Sequence, residues 1–185
     1  SLFSSGYGVA LQKRFFDRFL KGTDNGWDRQ PRVQLNIRHP GERFVLRHEN
    51  EWPLARTQWT KFYLDTEGMA LKSAPLAKQG AVEYEVLGNG VTFSTPPLTA
   101  DTEITGPMAA RLFISSSTAD ADLFLIVRVF DPQGRELTFM GSTDPNTPIA
   151  NGWLRASHRR LDPQKSKPYR PYHSHDRAEP LTPAG

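Results

Sequence analysis

Residues 8 to 22, GVALQKRFFDRFLKG, carry apolar side chains at a helical spacing that the rest of the chain does not repeat. Advanced by 100° per residue, Val9, Leu11, Phe15, Phe16, Phe19 and Leu20 fall on one half of a cylinder. Lys13, Arg14, Asp17, Arg18 and Lys21 fill the other half. The pattern predicts an amphipathic helix over residues 7–21. Gly22 follows the last apolar residue, where a left-handed position is expected, and Arg18 and Lys21 place positive charge against the negative end of the helix dipole. Such a face needs a partner. Burial is worth roughly 1.5 to 3 kcal/mol for each large apolar side chain, so the whole face represents on the order of ten kcal/mol.

Beyond Gly22 the period changes from 3.6 to 2. TDNGWDRQP is a polar, turn-rich connection, and VQLNI at residues 33 to 37 alternates as a half-buried strand does. HPGERF is read as a turn and WTKFYLD as another short strand. In VEYEVLGNGVTFST, the positions Val82, Tyr84 and Val86 alternate, Gly88, Asn89 and Gly90 turn the chain, and Val91 and Phe93 begin a return arm, which predicts a hairpin. MAARLFISSS and LFLIVRVFDPQGRELTFMG carry further strand signals, with Asp131, Pro132, Gln133 and Gly134 as a turn. LFLIVRVF is so continuously apolar that it is expected deep in a sheet covered on both faces. WLRASHRRL reads as one more strand, and residues 162–185 hold five prolines and no period, which predicts an extended loop. Short strands separated by Gly and Pro turns indicate a β-sandwich or barrel.

Composition narrows this further. With 185 residues, 15 Pro, 14 Gly and a mean hydropathy of -0.55, the chain suits a loop-rich β domain with or without an appendage. Cysteine is absent, which removes disulfides and thiolate metal sites and leaves the address open, a cytoplasmic one being the expectation. No apolar run reaches the length of about 20 residues that a membrane span requires, and no signal-peptide pattern opens the chain. The net charge of +3 and pI near 9.3 come from basic residues interleaved with 20 acidic ones, not from a basic stripe, so no nucleic-acid partner is expected.

FFDRFLKG, RHPGERFVLRHENEWPLARTQWTKFYLD, TEITGPMAARLFISSSTADADLFLIVRVFDPQGRE and GWLRASHRRLDP, in that order, resemble the CocE/NonD serine hydrolases, the family of X-Pro dipeptidyl-peptidases and cocaine-esterase-like acylases. The resemblance covers nearly the whole chain. It implies a jelly-roll (galactose-binding-like) β-sandwich preceded by one amphipathic helix left over from an α/β-hydrolase domain. Residues 1–22 would be that last helix, 23–60 a connecting segment with a short strand, and 61–185 the jelly roll, incomplete at its C-terminus. The implied partners are an upstream α/β-hydrolase catalytic domain and the acyl ester or peptide substrate of the parent enzyme, with self-association of the fragment through its uncovered surfaces. The alternative for the helix is packing on the sandwich of this chain. The alternative for the whole is a free-standing carbohydrate- or ligand-binding jelly-roll module.

The resemblance also implies that the catalytic triad lies outside this chain. No Gly-x-Ser-x-Gly nucleophile elbow is present; SSGYG at residues 4–8 comes nearest, with Phe3 where the first Gly belongs. No catalytic, cofactor or metal residue is therefore assigned, and the chain alone is expected to be inactive. His39 and His48 read as surface residues and His158 as a hydrogen-bonded strand residue. His173 and His175, with Asp176 adjacent, have the spacing by which one extended strand could aim two imidazoles at a metal, against a loop with no evident third ligand. Asp120 and Asp122 in TADAD read as a solvated turn and not a calcium loop. Trp27, Trp52, Trp59 and Trp153 are either a sugar-stacking platform or, for Trp52 and Trp59, cover for the seam between helix and sandwich.

Overall fold

A computed structural model of the chain describes residues 5–182. One helix, α1 (Gly6–Lys21), precedes the strands β1 (Val33–His39), β2 (Arg43–Glu49), β3 (Tyr63–Asp65), β4 (Ala70–Lys72), β5 (Asp122–Val127), β6 (Val129–Phe130), β7 (Glu136–Leu137) and β8 (Ala150–Arg155). Among the described residues the strands pair as four two-stranded antiparallel ladders. The architecture is mainly β and consistent with a β-sandwich domain. The chain divides into two units, Ser1–Leu54 with Pro107–Gly185, and Ala55–Gly106.

Helix α1 lies where its periodicity places it. The Ser5 hydroxyl oxygen accepts from the Gly8 amide at 3.1 Å, capping the N-terminus, and Gly22 takes the left-handed conformation at φ 67° that ends the helix. Asp17 bridges Lys13 at 2.6 Å and Lys21 at 2.7 Å along the polar face. Past the helix, Trp27 turns its ring edge-on to Phe15, with centroids 5.3 Å apart, and to Phe19 at 6.3 Å.

β1 and β2 form a hairpin in which Val33 faces Glu49 and His39 faces Arg43. The reversal uses left-handed backbone at Gly41 and Glu42, φ 77° and 58°, so the turn expected over HPGERF ends at Glu42, and Arg43 and Phe44 already belong to the return arm. Glu42 accepts a bond from the Met140 amide at 2.5 Å. Arg38 and Phe44, opposite each other in the hairpin, both meet Phe139: the guanidinium stands 5.0 Å from its centroid and the Phe44 ring 6.4 Å away. Phe139, Leu54 and Ala156 are the buried apolar side chains among the described residues, so the core of this unit is thin.

The turn at residues 131–134 is as expected. Gly134 adopts φ 77°, its amide donates to the Asp131 carbonyl at 2.9 Å, and the Asp131 carboxylate accepts from the Gln133 and Arg135 amides. Those amide bonds, that of Arg135 foremost, hold the Asp131 carboxyl below its usual range.

Five expectations are corrected. LFLIVRVF is not covered on both faces: β5 pairs with β8 alone, and Phe124 and Ile126 remain 73% and 60% exposed. MAARLFISSS forms no strand, and Phe113 within it is 88% exposed. WLRASHRRL is strand only to Arg155; a 3₁₀ turn, Ala156–His158, follows because the Ser157 amide and hydroxyl are taken by Asp120 and cannot extend a ladder. In the second unit the arms around residues 82–93 do not pair. There the Gly88 amide closes on the Glu85 carbonyl at 2.9 Å, so the bend falls before Asn89 and the arms leave register. The ladder that does form is β3 with β4, with Ser94 bridging to Ala70, and WTKFYLD contributes only its last three residues.

Candidate functional site

The clearest feature is the outer face of α1. Its only buried residue is Gly8, whereas Val9, Phe16, Phe19 and Leu20 are 55%, 51%, 58% and 76% exposed. Trp27 covers part of Phe15 and Phe19, so the packing that the helix obtains is aromatic and lies on its C-terminal half. Trp52 and Trp59, read from the sequence as cover for the helix seam, are each about half exposed.

Between α1, Trp27 and the β1–β2 hairpin opens a cleft of about 450 Å³, lined by Tyr7, Leu11, Trp27, Gln30, Gln34 and Leu46. Two of its polar side chains are engaged with each other, the Tyr7 hydroxyl bonding the Gln34 side-chain oxygen, while Arg32 and Asn36 also line it. The apolar remainder continues the helix face.

The hydrolase parts sought in the sequence separate here into structural roles. Ser5, in SSGYG, is the helix cap; Phe3 and Ser4 of that comparison lie outside the described residues. Ser157, which the sequence reading passed over, is 4% exposed and donates its hydroxyl to Asp120 at 2.6 Å and its amide at 2.9 Å. His158 follows it in sequence, but its Nδ1 lies 2.9 Å from Nδ1 of His175. The serine donates directly to a carboxylate while the imidazole next to it in sequence pairs with His175, so among the described residues no imidazole is seen to accept the Ser157 proton. The only signal for this cluster in the sequence is the TADAD and RASHRR pair, 37 residues apart at Asp120 and Ser157.

The same geometry accounts for TADAD. The Ser157 hydroxyl, then its amide and that of Ala121, keep the Asp120 carboxyl below its usual range. Asp122 takes Arg155 in a two-pronged pair at 2.7 and 2.9 Å, which lowers the carboxyl and raises the guanidinium. Both carboxylates therefore serve to join the start of β5 to the end of β8. His39 ends β1 and His48 lies exposed on β2, apart from this cluster in the sequence and on a different ladder. His173 comes within 6.1 Å of His175, centroid to centroid, and Asp176 binds Ser174 at 2.5 Å and Arg160 at 3.4 Å. Among the described residues no three His, Cys, Asp or Glu side chains group as a metal centre. No described helix is long and apolar enough to cross a membrane.

The Pro-rich tail is fastened to this region. The Glu179 amide donates to the Ser157 carbonyl and the Leu181 amide to the Ala119 carbonyl, each at 2.7 Å, and Leu161 bridges to His173.

Residues 25–184 match the family described as the X-Pro dipeptidyl-peptidase C-terminal non-catalytic domain. A candidate serine esterase of Mycobacterium bovis is 29% identical over 92% of this chain, which spans 30% of that protein. Cocaine esterase of a Rhodococcus species is 31% identical over 70% of this chain and 29% of its own length. A crystal structure of a CocE/NonD family hydrolase from Staphylococcus aureus superposes with a TM-score of 0.78 at 24% identity, over 98% of this chain and 33% of that one. The chain therefore spans about a third of the length of the proteins it matches. The helix α1 precedes the family match, and every strand of the fold falls within it: the chain belongs to the X-Pro dipeptidyl-peptidase C-terminal non-catalytic domain family, the C-terminal non-catalytic region of CocE/NonD-type hydrolases.

Proposed function

We propose that this chain supports a serine hydrolase from outside the chemistry, as a jelly-roll buttress for an α/β-hydrolase domain that cleaves acyl ester or amide bonds. The observation that carries the reading is the unburied apolar face of α1, a helix that ends properly at both caps yet leaves Val9, Phe16, Phe19 and Leu20 largely in solvent. We read α1 as the last helix of the catalytic domain, residues 23–60 as the connection and residues 61–185 as the jelly roll. Relatives named for esterase activity and the non-catalytic family support this reading. In it, the nucleophile, its base and the orienting acid belong to the other domain, where an acyl-serine intermediate forms and is hydrolysed. This chain helps wall the cleft and contributes no group to the reacting atoms.

The test is labelling and turnover. The isolated chain should leave activated acyl esters at the buffer rate and take up no fluorophosphonate. In the parent hydrolase, Phe16→Lys with Leu20→Lys should loosen the catalytic domain and lower its melting temperature. Serine labelling of the isolated chain at the rate of a true hydrolase would overturn the proposal.

A second reading, a free-standing carbohydrate-binding module, is favoured by one observation. Phe124 and Trp153 are cross-strand partners, 73% and 75% exposed, flanked on the same face by the Asp122 and Arg155 pair. A coding frame that begins near Ser1 would favour it, and one that continues upstream into a Gly-x-Ser-x-Gly motif would favour the buttress.

A further inference from the structure

The structure brings together two histidines that stand 17 residues apart. His158 sits on the 3₁₀ turn after β8 and is half-buried; His175 lies exposed in the Pro-rich tail. Their Nδ1 atoms are 2.9 Å apart and their ring centroids 5.1 Å apart. His175 holds its place with a left-handed backbone, φ 52°, a conformation that a β-carbon disfavours and that tends to persist where a side chain is being aimed. A third ring, His173, lies 6.1 Å from His175, and its Nδ1 is buried with no hydrogen-bond partner.

We propose that His158 and His175 form a two-imidazole site for a divalent first-row transition ion, with water completing its coordination, and that the ion pins the Pro-rich tail to the turn after β8. In the ion-free chain the 2.9 Å separation is that of a hydrogen bond between the two rings. The donor set selects the class of ion: imidazole nitrogen suits Zn(II), Cu(II) and Ni(II), not Mg(II) or Ca(II). Among the described residues no third His, Cys, Asp or Glu joins the pair as a ligand group, so the ion is held by two residues and exchanges with solvent.

The protons balance. In the ion-free pair one ring carries Nδ1–H and the other presents a lone pair. When the ion enters, the donor ring passes its proton through solvent to its own Nε2, both rings turn so that their Nδ1 lone pairs converge on the metal, and no net proton is released. Neighbouring charge permits this. Arg160 is spent on Asp176 and Glu179, Arg159 on the carbonyls of Ala156 and Glu179, and the Asp176 carboxylate follows His175 directly.

The experiment is calorimetric titration of Ni(II) into the full chain without a histidine tag, with electron paramagnetic resonance of the Cu(II)-loaded protein. One saturable site is expected, with two nitrogen couplings on copper. His158→Gln and His175→Gln should each weaken binding by roughly ten- to a hundredfold, whereas His39→Gln and His48→Gln should leave it unchanged. Absence of a stoichiometric site, loss of binding in the His39 or His48 variants instead, or a single nitrogen coupling would overturn the proposal. Should a variant misfold by circular dichroism, the nitrogen count on the unsubstituted chain decides alone.

Discussion

The carboxylate of Asp120 receives both the amide and the hydroxyl of Ser157, at 2.9 and 2.6 Å, across 37 residues of chain. This pair decides where β8 stops, because a residue whose amide is donated to a side chain cannot extend the ladder, and it closes the end of the β5–β8 sheet. Ser157→Ala should lower the melting temperature by about 3 to 5 °C, the scale a single hydrogen bond sets for a domain of this size. A change below one degree, read by differential scanning calorimetry, would show that the sheet end is held otherwise.

The same pair predicts acid sensitivity. Asp120 titrates below its ordinary 3.8 in the folded chain because Ser157 stabilises the carboxylate, and Asp122 does so because of Arg155. In the unfolded chain both bind protons at the higher, ordinary value, so the unfolded state takes up more protons as the pH falls. The stability they contribute is complete above about pH 4 to 5 and is lost as pH falls through their folded values. Asp120→Asn should be less stable at pH 7 and should lose less on acidification than the unsubstituted chain. A parallel pH profile for the two proteins, in urea melts from pH 7 to pH 3, would contradict the assignment.

On α1 the substitutions that test burial are Phe16 and Leu20, since Phe15 and Phe19 also hold Trp27. Phe16→Lys with Leu20→Lys removes side chains that are 51% and 76% exposed. The variant should bind less hydrophobic dye and sediment as a smaller species, with its thermal midpoint within about two degrees of the parent. A collapse of cooperative unfolding would mean that the helix face is part of this chain's own core.

How much of this was legible depends on the range of the interaction. The helix, its cap at Gly22, the alternation of Val33 to Ile37 and the turn ending at Gly134 are local, and the sequence carries them in spacing and in residues that tolerate positive φ. What stayed hidden is non-local. Nothing in RASHRR announces that Ser157 will be captured by an aspartate 37 residues earlier, or that His158 will meet His175. The apolar run of β5 was read as doubly covered because hydrophobicity reports a demand for burial and not whether a second layer answers it.

Two glycines test the local part. Gly22 and Gly134 have φ 67° and 77° with open space where a β-carbon would stand, so alanine there meets no clash and only the backbone penalty remains. Gly22→Ala and Gly134→Ala should each destabilise by about 1 kcal/mol, measured by urea denaturation. An unchanged midpoint at Gly22 would mean that the helix frays before its cap and that Phe19 and Leu20 are not held in place.

The last prediction concerns the face of β5 and β8. Alternation puts Asp122, Phe124 and Ile126 on the same side as Arg155, Trp153 and Asn151, while Leu123, Leu125 and Leu154 point to the other. Phe124 and Trp153 are three-quarters exposed, so this face holds a cross-strand aromatic pair in water beside an ion pair that tethers its end. Exposed aromatic surface of this kind should drive association of the isolated chain, with the unpaired edge of a two-stranded ladder offering backbone groups to a second copy. Phe124→Thr with Trp153→Thr replaces the aromatic pair with β-branched residues that suit a strand while removing the apolar surface, so it should reduce self-association in analytical ultracentrifugation and leave the thermal midpoint nearly unchanged. Leu123→Thr with Leu154→Thr, on the half-buried side, should do the reverse and lower the midpoint. If both pairs destabilise equally, the two faces are equally covered in solution and association has another source.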